Sequence, residues 1–460
     1  MKPVLTAGEM AEVDRKAQAT VGIETLIGRA GFQVARYSIA AMGGTYGRLV
    51  VVVAGKGHNG DDGRTAARHL ARRGARVTII PTEEAPRRLP ECDLVIDAAF
   101  GTGFRGDYRA PEPHPESILV AVDIPSGVAA DTGVADQGAV EADLTVTFGA
   151  LKPGLLLGEG ARRSGVVVTE AIGLDTSSAR SHLVETADLG SLPVRDRETN
   201  KWKTALGIVA GSPGMYGSAA FAASAAVRAG AGMVRLGSPG VPPGTIPVLE
   251  AVAFELPDDD WAQAALDGCA RCKSVVIGPG LGRRESTGRS VVEFVDRIDV
   301  PMVIDADGLI AFGIASDAAK ILGRRHAPTV LTPHDGEFAR LAGEPPGSDR
   351  VSATRDLARR LGVIVLLKGS TTIVATPSGE ALFVTSGSPR LATAGTGDVL
   401  SGVIGAFIAR GMDPFHAAAL GAHVHGLAAS IGFAEGLEAS DLPLLIASTL
   451  SSCAESTESE

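Results

Sequence analysis

At 460 residues the chain exceeds what one hydrophobic core usually organises, so two large domains or three small ones are expected. Hydrophobic residues make up 45% and charged residues 21%, a globular composition, and a formal net charge of -10 excludes a duplex-binding protein, which needs a basic face to neutralise phosphates. No apolar stretch has the length of a secretory leader or a membrane span, so the expected compartment is the cytoplasm, with neither membrane nor nucleic acid as partner. Four cysteines, Cys92, Cys269, Cys272 and Cys453, are too few for a disulfide framework. Cys269 and Cys272 form a lone CxxC with no second pair or nearby histidine, and they read as structural.

In chain order, Thr6 with Glu9 three residues on reads as a capping box, and Met10, Val13 and Ala17 supply the buried stripe of the helix it opens. A second helical stretch ends near Met42. Short apolar runs at 48–54, 76–80, 94–98, 118–122 and 144–148 then read as strands, with a helix at 62–73. Buried runs alternating with helical patterns predict parallel strands with crossover helices, hence a doubly wound parallel sheet. Between about 175 and 203 polar residues replace the apolar runs, which places a boundary there. A second series follows, with strands at 206–210, 274–278, 302–305, 329–331 and 363–367. Helices are expected at 218–229, 288–297, 337–342, 353–361, 398–409 and 414–431. The expected domains are 1–185 and 204–450, joined by a linker at 186–203 and followed by a disordered tail at 451–460.

Three loops leave the expected carboxyl ends of strands in the first half. One runs from Gly55 through Lys56, Gly57, His58, Asn59, Gly60, Asp61 and Asp62 to Gly63; its glycines let backbone approach a ligand, and the helix start that follows favours an anion. The second contains Asp97 and residues 101–107, Gly-Thr-Gly-Phe-Arg-Gly-Asp; the third reads Asp123-Ile124-Pro125-Ser126-Gly127. Ligands bind along that edge of an open parallel sheet, so three such loops describe a pocket.

These segments resemble the N-terminal epimerase domain of the NAD(P)H-hydrate repair proteins, a Rossmann-like fold, in its Asn-Asn-Gly-Gly-Asp-Gly, Gly-Thr-Gly and Asp-Ile-Pro-Ser-Gly signatures. The first signature departs at two places: His58 stands at the first Asn and Asp61 at the second Gly, which sets an extra carboxylate beside the expected phosphates. The resemblance implies that Asn59, Asp97 and Ser126 hold a potassium ion. It also implies that His58, Asn59, Gly60, Asp61 and Asp62, together with Gly101, Thr102, Gly103, Phe104, Arg105, Gly106, Asp107 and Asp123, contact a hydrated dinucleotide. Epimerising a carbinol-type carbon needs proton transfer beside the ring, and Asp123 is the candidate acid or base.

In the second half, Gly395-Thr396-Gly397-Asp398 feeds the apolar run 399–406. A flexible loop opening a buried helix sets N–H donors around an anion and places Asp398 to take a proton, a site for phosphoryl transfer onto a hydroxyl. The pattern resembles the anion hole and catalytic aspartate of ribokinase-like kinases, an α/β/α fold. The segments at 207–217, 278–282, 305–309, 332–337 and 368–372 resemble in order and spacing the NAD(P)H-hydrate dehydratase branch, with Asp335 where that branch usually has Pro. The resemblance implies that Lys368, Gly369, Ser370, Thr371 and Thr372, with Gly395, Thr396 and Gly397, contact an adenine nucleotide, ADP or ATP, accompanied by Mg2+. It implies that Gly217, Gly282, His334 and Asp398 face the hydrate of NADH or NADPH, and that the protein forms a homo-oligomer. No Mg2+ ligands follow, although Asp305, Asp307 and Glu337 are acidic and near the same edge. The competing reading is a vitamin-precursor kinase with a non-catalytic N-terminal binding domain.

Overall fold

A computed structural model describes residues 1–194 and 197–458, with side chains described as far as Ala454 at the C-terminal end. It divides into two compact units, Lys2–His182 and Met1 with Leu183–Glu460.

The first unit runs β1 (Lys2–Val4), α1 (Ala7–Val21), α2 (Ile23–Met42), β2 (Leu49–Ala54), α3 (His58–Ala71), β3 (Arg76–Pro81), β4 (Leu94–Ala98), β5 (Ile118–Val122), β6 (Leu144–Phe148), α4 (Gly158–Arg163) and β7 (Val166–Glu170). The Thr6–Glu9 capping box is present, and Met10, Val13 and Ala17 are buried as its spacing predicts. Six strands form a parallel sheet in the order β3-β2-β4-β5-β6-β7. Val50 to Val53 are each at most 3% exposed because both faces of β2 are covered, which is why the run is continuously β-branched instead of alternating. One face packs on α2 and α3 through Val34, Ala66 and Leu70; the other is closed by Leu89, Cys92, Val140 and Ala142 from connecting segments. Helix α3 begins at His58, four residues before the expected start, so part of the glycine-rich segment is already its first turn. Gly55 and Gly60 permit this, since a Cβ on Gly60 would lie 2.0 Å from the Gly55 carbonyl oxygen and one on Gly55 2.0 Å from that of Ala99.

The short strand β8 (Ser181–Leu183) spans the changeover. The second unit continues with β9 (Ala205–Val209), α5 (Tyr216–Arg228), β10 (Met233–Pro239), β11 (Ala251–Leu256), α6 (Ala262–Cys269), β12 (Ser274–Ile277), α7 (Glu285–Arg297), β13 (Met302–Ile304), α8 (Asp307–Ile310), α9 (Ala315–Leu322), β14 (Thr329–Leu331), α10 (Asp335–Ala342), α11 (Arg350–Leu361), β15 (Ile364–Leu367), β16 (Thr372–Ala375), β17 (Ala381–Val384), α12 (Thr396–Ala409), α13 (Pro414–Ile431) and α14 (Leu442–Glu458). Its strands are ordered β17-β16-β15-β14-β13-β12-β9-β10-β11, parallel except where β16 runs against both neighbours. One face buries Ala222, Val403 and Leu420 from α5, α12 and α13, and the other buries Phe294, Ala318 and Leu357 from α7, α9 and α11. This is the α/β/α sandwich that the ribokinase-like resemblance implies.

Two boundary expectations change. Leu189 is buried in the second unit's core, so the expected linker at 186–203 begins inside a compact body; residues 195 and 196 of that stretch lie outside the described residues. The tail expected to be disordered from 451 is helical through Glu458. Leu442 and Ile446 are fully buried and Leu450 and Cys453 pack on the same core, anchoring a polar helix end that composition alone reads as loose; residues 459 and 460 lie outside the described residues. Among the described residues no helix is long and apolar enough to cross a membrane.

Candidate active sites

In the first unit the chain leaves β2 for β3 on one side and returns to β4 on the other, and a parallel sheet opens a crevice at such a reversal. A cavity of about 650 Å3 lies there, lined by His58, Asn59 and Asp62 of α3, residues 101–105 after β4, and Asp123 after β5. Asp123 has φ +67°, the left-handed region that non-glycine residues rarely enter. Its Oδ1 accepts a hydrogen bond from Thr147 Oγ1 at 3.1 Å and pairs with Lys152 Nζ. Lys152 is 1% exposed, and its ammonium also donates to Thr147 Oγ1 at 2.7 Å and to the Phe148 carbonyl at 3.2 Å, so all three of its donors are used. Two more carboxyls line the cavity. Burial first, then the charges of Asp123, Asp61 and Asp14, push Asp62 up to about 8. Asp14 of α1 is raised too, by burial and Asp123, against the pull of Lys152 and His58.

Asp97 lies beneath the loop after β4, 2% exposed, and burial pushes it up to about 6 although it accepts from Ser126 N at 2.8 Å, Ser126 Oγ at 2.7 Å and Ala99 N at 3.3 Å. Ser126 Oγ in turn accepts from Phe100 N at 2.9 Å, and Asn59 Nδ2 donates to the Phe100 carbonyl at 2.9 Å. One carboxylate amid neutral oxygens is a donor set for a hard alkali cation, and among the described residues no group of three or more His, Cys, Asp or Glu gathers as a transition-metal site would need. Gly60, Asp61, Gly106 and Asp107 do not line the cavity; Asp61 pairs with Arg64 at 3.3 Å. Lys152, Thr147 and Asp14 were missed from sequence. A lysine inside the apolar run 150–157 was the available signal for the first, and the four-residue spacing of Asp14 from Met10 for the last.

In the second unit the reversal falls at β9, between β10 and β12. The loops after β9 and β12 meet there: Gly211 N donates to Pro279 O at 2.7 Å and Ser212 Oγ to Gly280 O at 2.9 Å. Gly282 N donates to Asp307 Oδ2 at 2.9 Å, and both residues line a groove of about 410 Å3. Gly217 opens toward Phe221, whose ring also lies against Gly395. Gly395, at φ +91°, caps α12 and places Asp398 in its first turn. Burial first, then the charge of Asp305, push Asp398 up to about 6, against a hydrogen bond from Ser218 and the charge of Lys368.

Lys368, at the end of β15, donates Nζ to Asp305 Oδ1 at 2.7 Å, and Asp305 Oδ2 accepts from Ser401 Oγ at 2.6 Å. Burial works against the charge on Lys368, but Asp305, Glu337 and Asp398 outweigh it and hold the amine above the ordinary lysine value. A Cβ on Gly397 would stand 3.4 Å from Lys368 Nζ, so bare backbone abuts the ammonium. Thr396 Oγ1 donates inward, to Leu391 O at 2.8 Å and Thr393 O at 2.9 Å. Gly369, Ser370 and Thr371 form the turn into Thr372 of β16; Arg350 braces it by donating to Lys368 O at 2.9 Å and pairing with Asp335 at 2.8 Å. His334 is the N-cap of α10: its Nδ1 accepts from Gly336 N at 3.0 Å, Glu337 Oε2 accepts from His334 N at 2.9 Å, and its side chain is 60% exposed. Asp305, Asp307 and Glu337 are thus all engaged with protein donors, which leaves no preformed cage for Mg2+. That fits an ion carried in on nucleotide phosphates with its waters. Ser218, Ser401 and Arg350 were missed, since nothing in a lone Ser or Arg marks it.

Residues 206–451 match the family model described as NAD(P)H-hydrate dehydratase, and residues 23–90 and 78–154 match that described as YjeF-related protein N-terminus. The bifunctional NAD(P)H-hydrate repair enzyme Nnr of Salinibacter ruber is 37% identical over 499 aligned positions, covering 93% of this chain and 91% of that protein. The chain belongs to the bifunctional NAD(P)H-hydrate repair enzyme family. The repair enzyme of Escherichia coli is 32% identical, with 92% of this chain and 88% of that protein covered. Among solved structures, the ADP/ATP-dependent NAD(P)H-hydrate dehydratase from Bacillus subtilis, co-crystallised with ATP and Mg2+, superposes with a TM-score of 0.50 at 29% identity, over 58% of this chain and 95% of that one. A ribokinase-like superfamily protein from Enterococcus faecalis, 20% identical, shares the fold with a TM-score of 0.53 over 60% of this chain and 96% of its own. Both halves of the bifunctional repair family are present, and the reading as a kinase behind a non-catalytic domain gives way.

Proposed function

We infer that the chain returns hydrated NADH and NADPH to the reduced dinucleotides in two steps. The first unit interconverts the R and S hydrates, and the second dehydrates the S hydrate at the expense of an adenine nucleotide. The observation that carries this is the presence on one chain of a cavity with a strained, lysine-paired Asp123 and of a glycine-rich helix start with Asp398 beside Lys368.

Hydroxide leaves a saturated ring poorly, whereas phosphate leaves readily. In the second unit Asp398 takes the hydrate's hydroxyl proton while the oxygen attacks the terminal phosphoryl group of the nucleotide. The amides at Gly395, Thr396 and Gly397 and the Lys368 ammonium stabilise charge on the group in transfer. Phosphate then departs as the neighbouring ring carbon loses a proton, restoring the double bond. Mg2+ entering with the nucleotide would offset phosphate charge. Lys368 to Thr372 hold the nucleotide; His334, Gly217 and Gly282 face the hydrate.

In the first unit Asp123 moves a proton at the hydroxyl-bearing carbon, and His58, Asn59, Asp62 and residues 101–105 enclose the substrate. Asn59, Asp97 and Ser126 would hold a potassium ion, whose positive charge would steady the dinucleotide's phosphates at this rim. The cytoplasm supplies these substrates, and four free cysteines fit its reducing conditions.

The test follows absorbance of the reduced nicotinamide from mixed epimers with Mg2+ and either ADP or ATP. Complete recovery with at least one nucleotide is expected, and no recovery with either overturns the reading.

A further inference from the structure

We propose that Asp62 is the proton donor of the first unit's reaction and Asp123 its acceptor, with Lys152 as the residue that positions Asp123. The proposal rests on the epimerase reading above.

The reaction needs two proton-moving groups. Water adds to a dihydronicotinamide at the carbon bonded to the ring nitrogen, because the enamine is protonated at its far carbon, so the hydrate carries hydroxyl and nitrogen on one carbon. Inverting that carbon requires one bond to break and re-form from the other face. Hydroxide is a poor leaving group, while the nitrogen is conjugated with the ring carboxamide, so the carbon–nitrogen bond is the one to open. As it opens, the hydroxyl proton passes to Asp123, the carbon becomes an aldehyde, and the nitrogen takes a proton from Asp62. Rotation of the aldehyde carbon and closure from the opposite side return both protons, with no oxidant or co-reactant consumed.

Asp62 fits the donor's place by position. It lines the same cavity as Asp123, is 8% exposed, and among the described residues its carboxyl makes no hydrogen bond or ion pair. The negative groups around it are Asp14 on α1, Asp61 on its own helix and Asp123; the lysines and arginines that line the cavity are Lys152, Lys56 and Arg105. Lys152 is spent on Asp123, Thr147 and Phe148, and His58 is exposed, so neither replaces it. Its elevated value, about 8, keeps it protonated at neutral pH. Asp14 is only half-buried, which makes it the comparison residue.

The experiment uses the full chain on pure R hydrate, with extra S-specific dehydrating activity so that epimerisation limits the rate, from pH 6 to 9.5, after subtraction of the uncatalysed rate. Wild type is expected to lose kcat above about pH 8. Asp62→Asn should lower kcat at pH 7 by about 100-fold or more, move KM by less than about threefold, and abolish the alkaline limb. Asp14→Asn should keep the alkaline limb that Asp62→Asn loses, and S-hydrate turnover, read as a control for folding, should be unchanged in every variant. Should Asp62→Asn keep its rate or the alkaline limb while Asp123→Asn is inactive, Asp62 is no donor and only this inference falls. Should Asp123→Asn also epimerise at the wild-type rate, the reading of the first unit falls with it.

Discussion

Both rims place a lysine beside carboxylates at the carboxyl ends of parallel strands, fully buried in the first and partly buried in the second, yet they pair it differently. In the first unit Lys152 is bonded directly to Asp123, the residue assigned to the chemistry, and two uncompensated carboxyls, Asp62 and Asp14, crowd the same cavity. In the second, Lys368 is bonded to Asp305, itself held by Ser401, and Asp398 stands apart with its value raised to about 6. Each rim also holds a non-glycine residue at positive φ next to its acid, Asp123 itself and Ala306 beside Asp305. The difference is between a base fixed by its cation inside a cavity and a base held only by the neutral Ser218 beside a cation bonded to another carboxylate. The first suits proton exchange within one molecule, and the second suits transfer between two.

The largest expected effect is on the second base: Asp398→Asn should cut S-hydrate turnover about 10^3-fold while epimer interconversion, followed by chromatography of the hydrates, continues unchanged. Next come the cations. Lys368→Met strands the buried Asp305 carboxylate at a cost of about 3–5 kcal/mol, and Lys152→Met strands the partly buried Asp123 at a smaller cost. In a calorimetric scan Lys152→Met should lower only the transition of the first unit and Lys368→Met only that of the other; a common shift would break the comparison. A pH profile sharpens it further. Asp398 acts unprotonated and its value is raised to about 6, so S-hydrate turnover should fall about tenfold per pH unit below 6.

A smaller effect is on stability. Asp62 titrates at about 8 when folded, against about 3.9 when unfolded, so between those values the folded unit holds a proton that the unfolded chain lacks, and stability falls as pH rises. Asp62→Asn should therefore raise the first unit's Tm at pH 8, by on the order of 10 °C for a shift of this size, and leave it nearly unmoved at pH 4. Ser401→Ala should be mildest, about 1 kcal/mol, since Asp305 keeps its bond to Lys368.

The layered α/β fold was legible because buried strands such as 50–53 and 275–277 leave unbroken β-branched runs, and the loops that follow them are rich in glycine. The outer strands β7 and β11 were not: each pairs on one side only and carries polar or exposed residues, and β10, paired on both sides, has its apolar run interrupted by Arg235, Gly237 and Ser238. β16 and β17 follow β15 as antiparallel additions with no helix between, outside the strand–helix alternation that marked the others. Within the sites, His58, Asn59, Asp62 and residues 101–105 of the glycine loops were legible as cavity lining, Lys152 left only the signal of a lysine in an apolar run, and Ser218, Ser401 and Arg350 act through distance in space and leave no local pattern. The fate of Asp61, turned to Arg64, depended on where the first turn of α3 begins, which composition does not fix.

The central claim, that two independent rims carry out successive steps on one diffusing hydrate, is tested most directly by complementation. Asp123→Asn and Asp398→Asn chains are given pure R hydrate with nucleotide and Mg2+, first separately and then mixed. Neither alone should regenerate reduced dinucleotide faster than spontaneous epimerisation allows, and the mixture should recover it at close to the wild-type rate. Prompt recovery by either variant alone, or none by the mixture, would contradict the account.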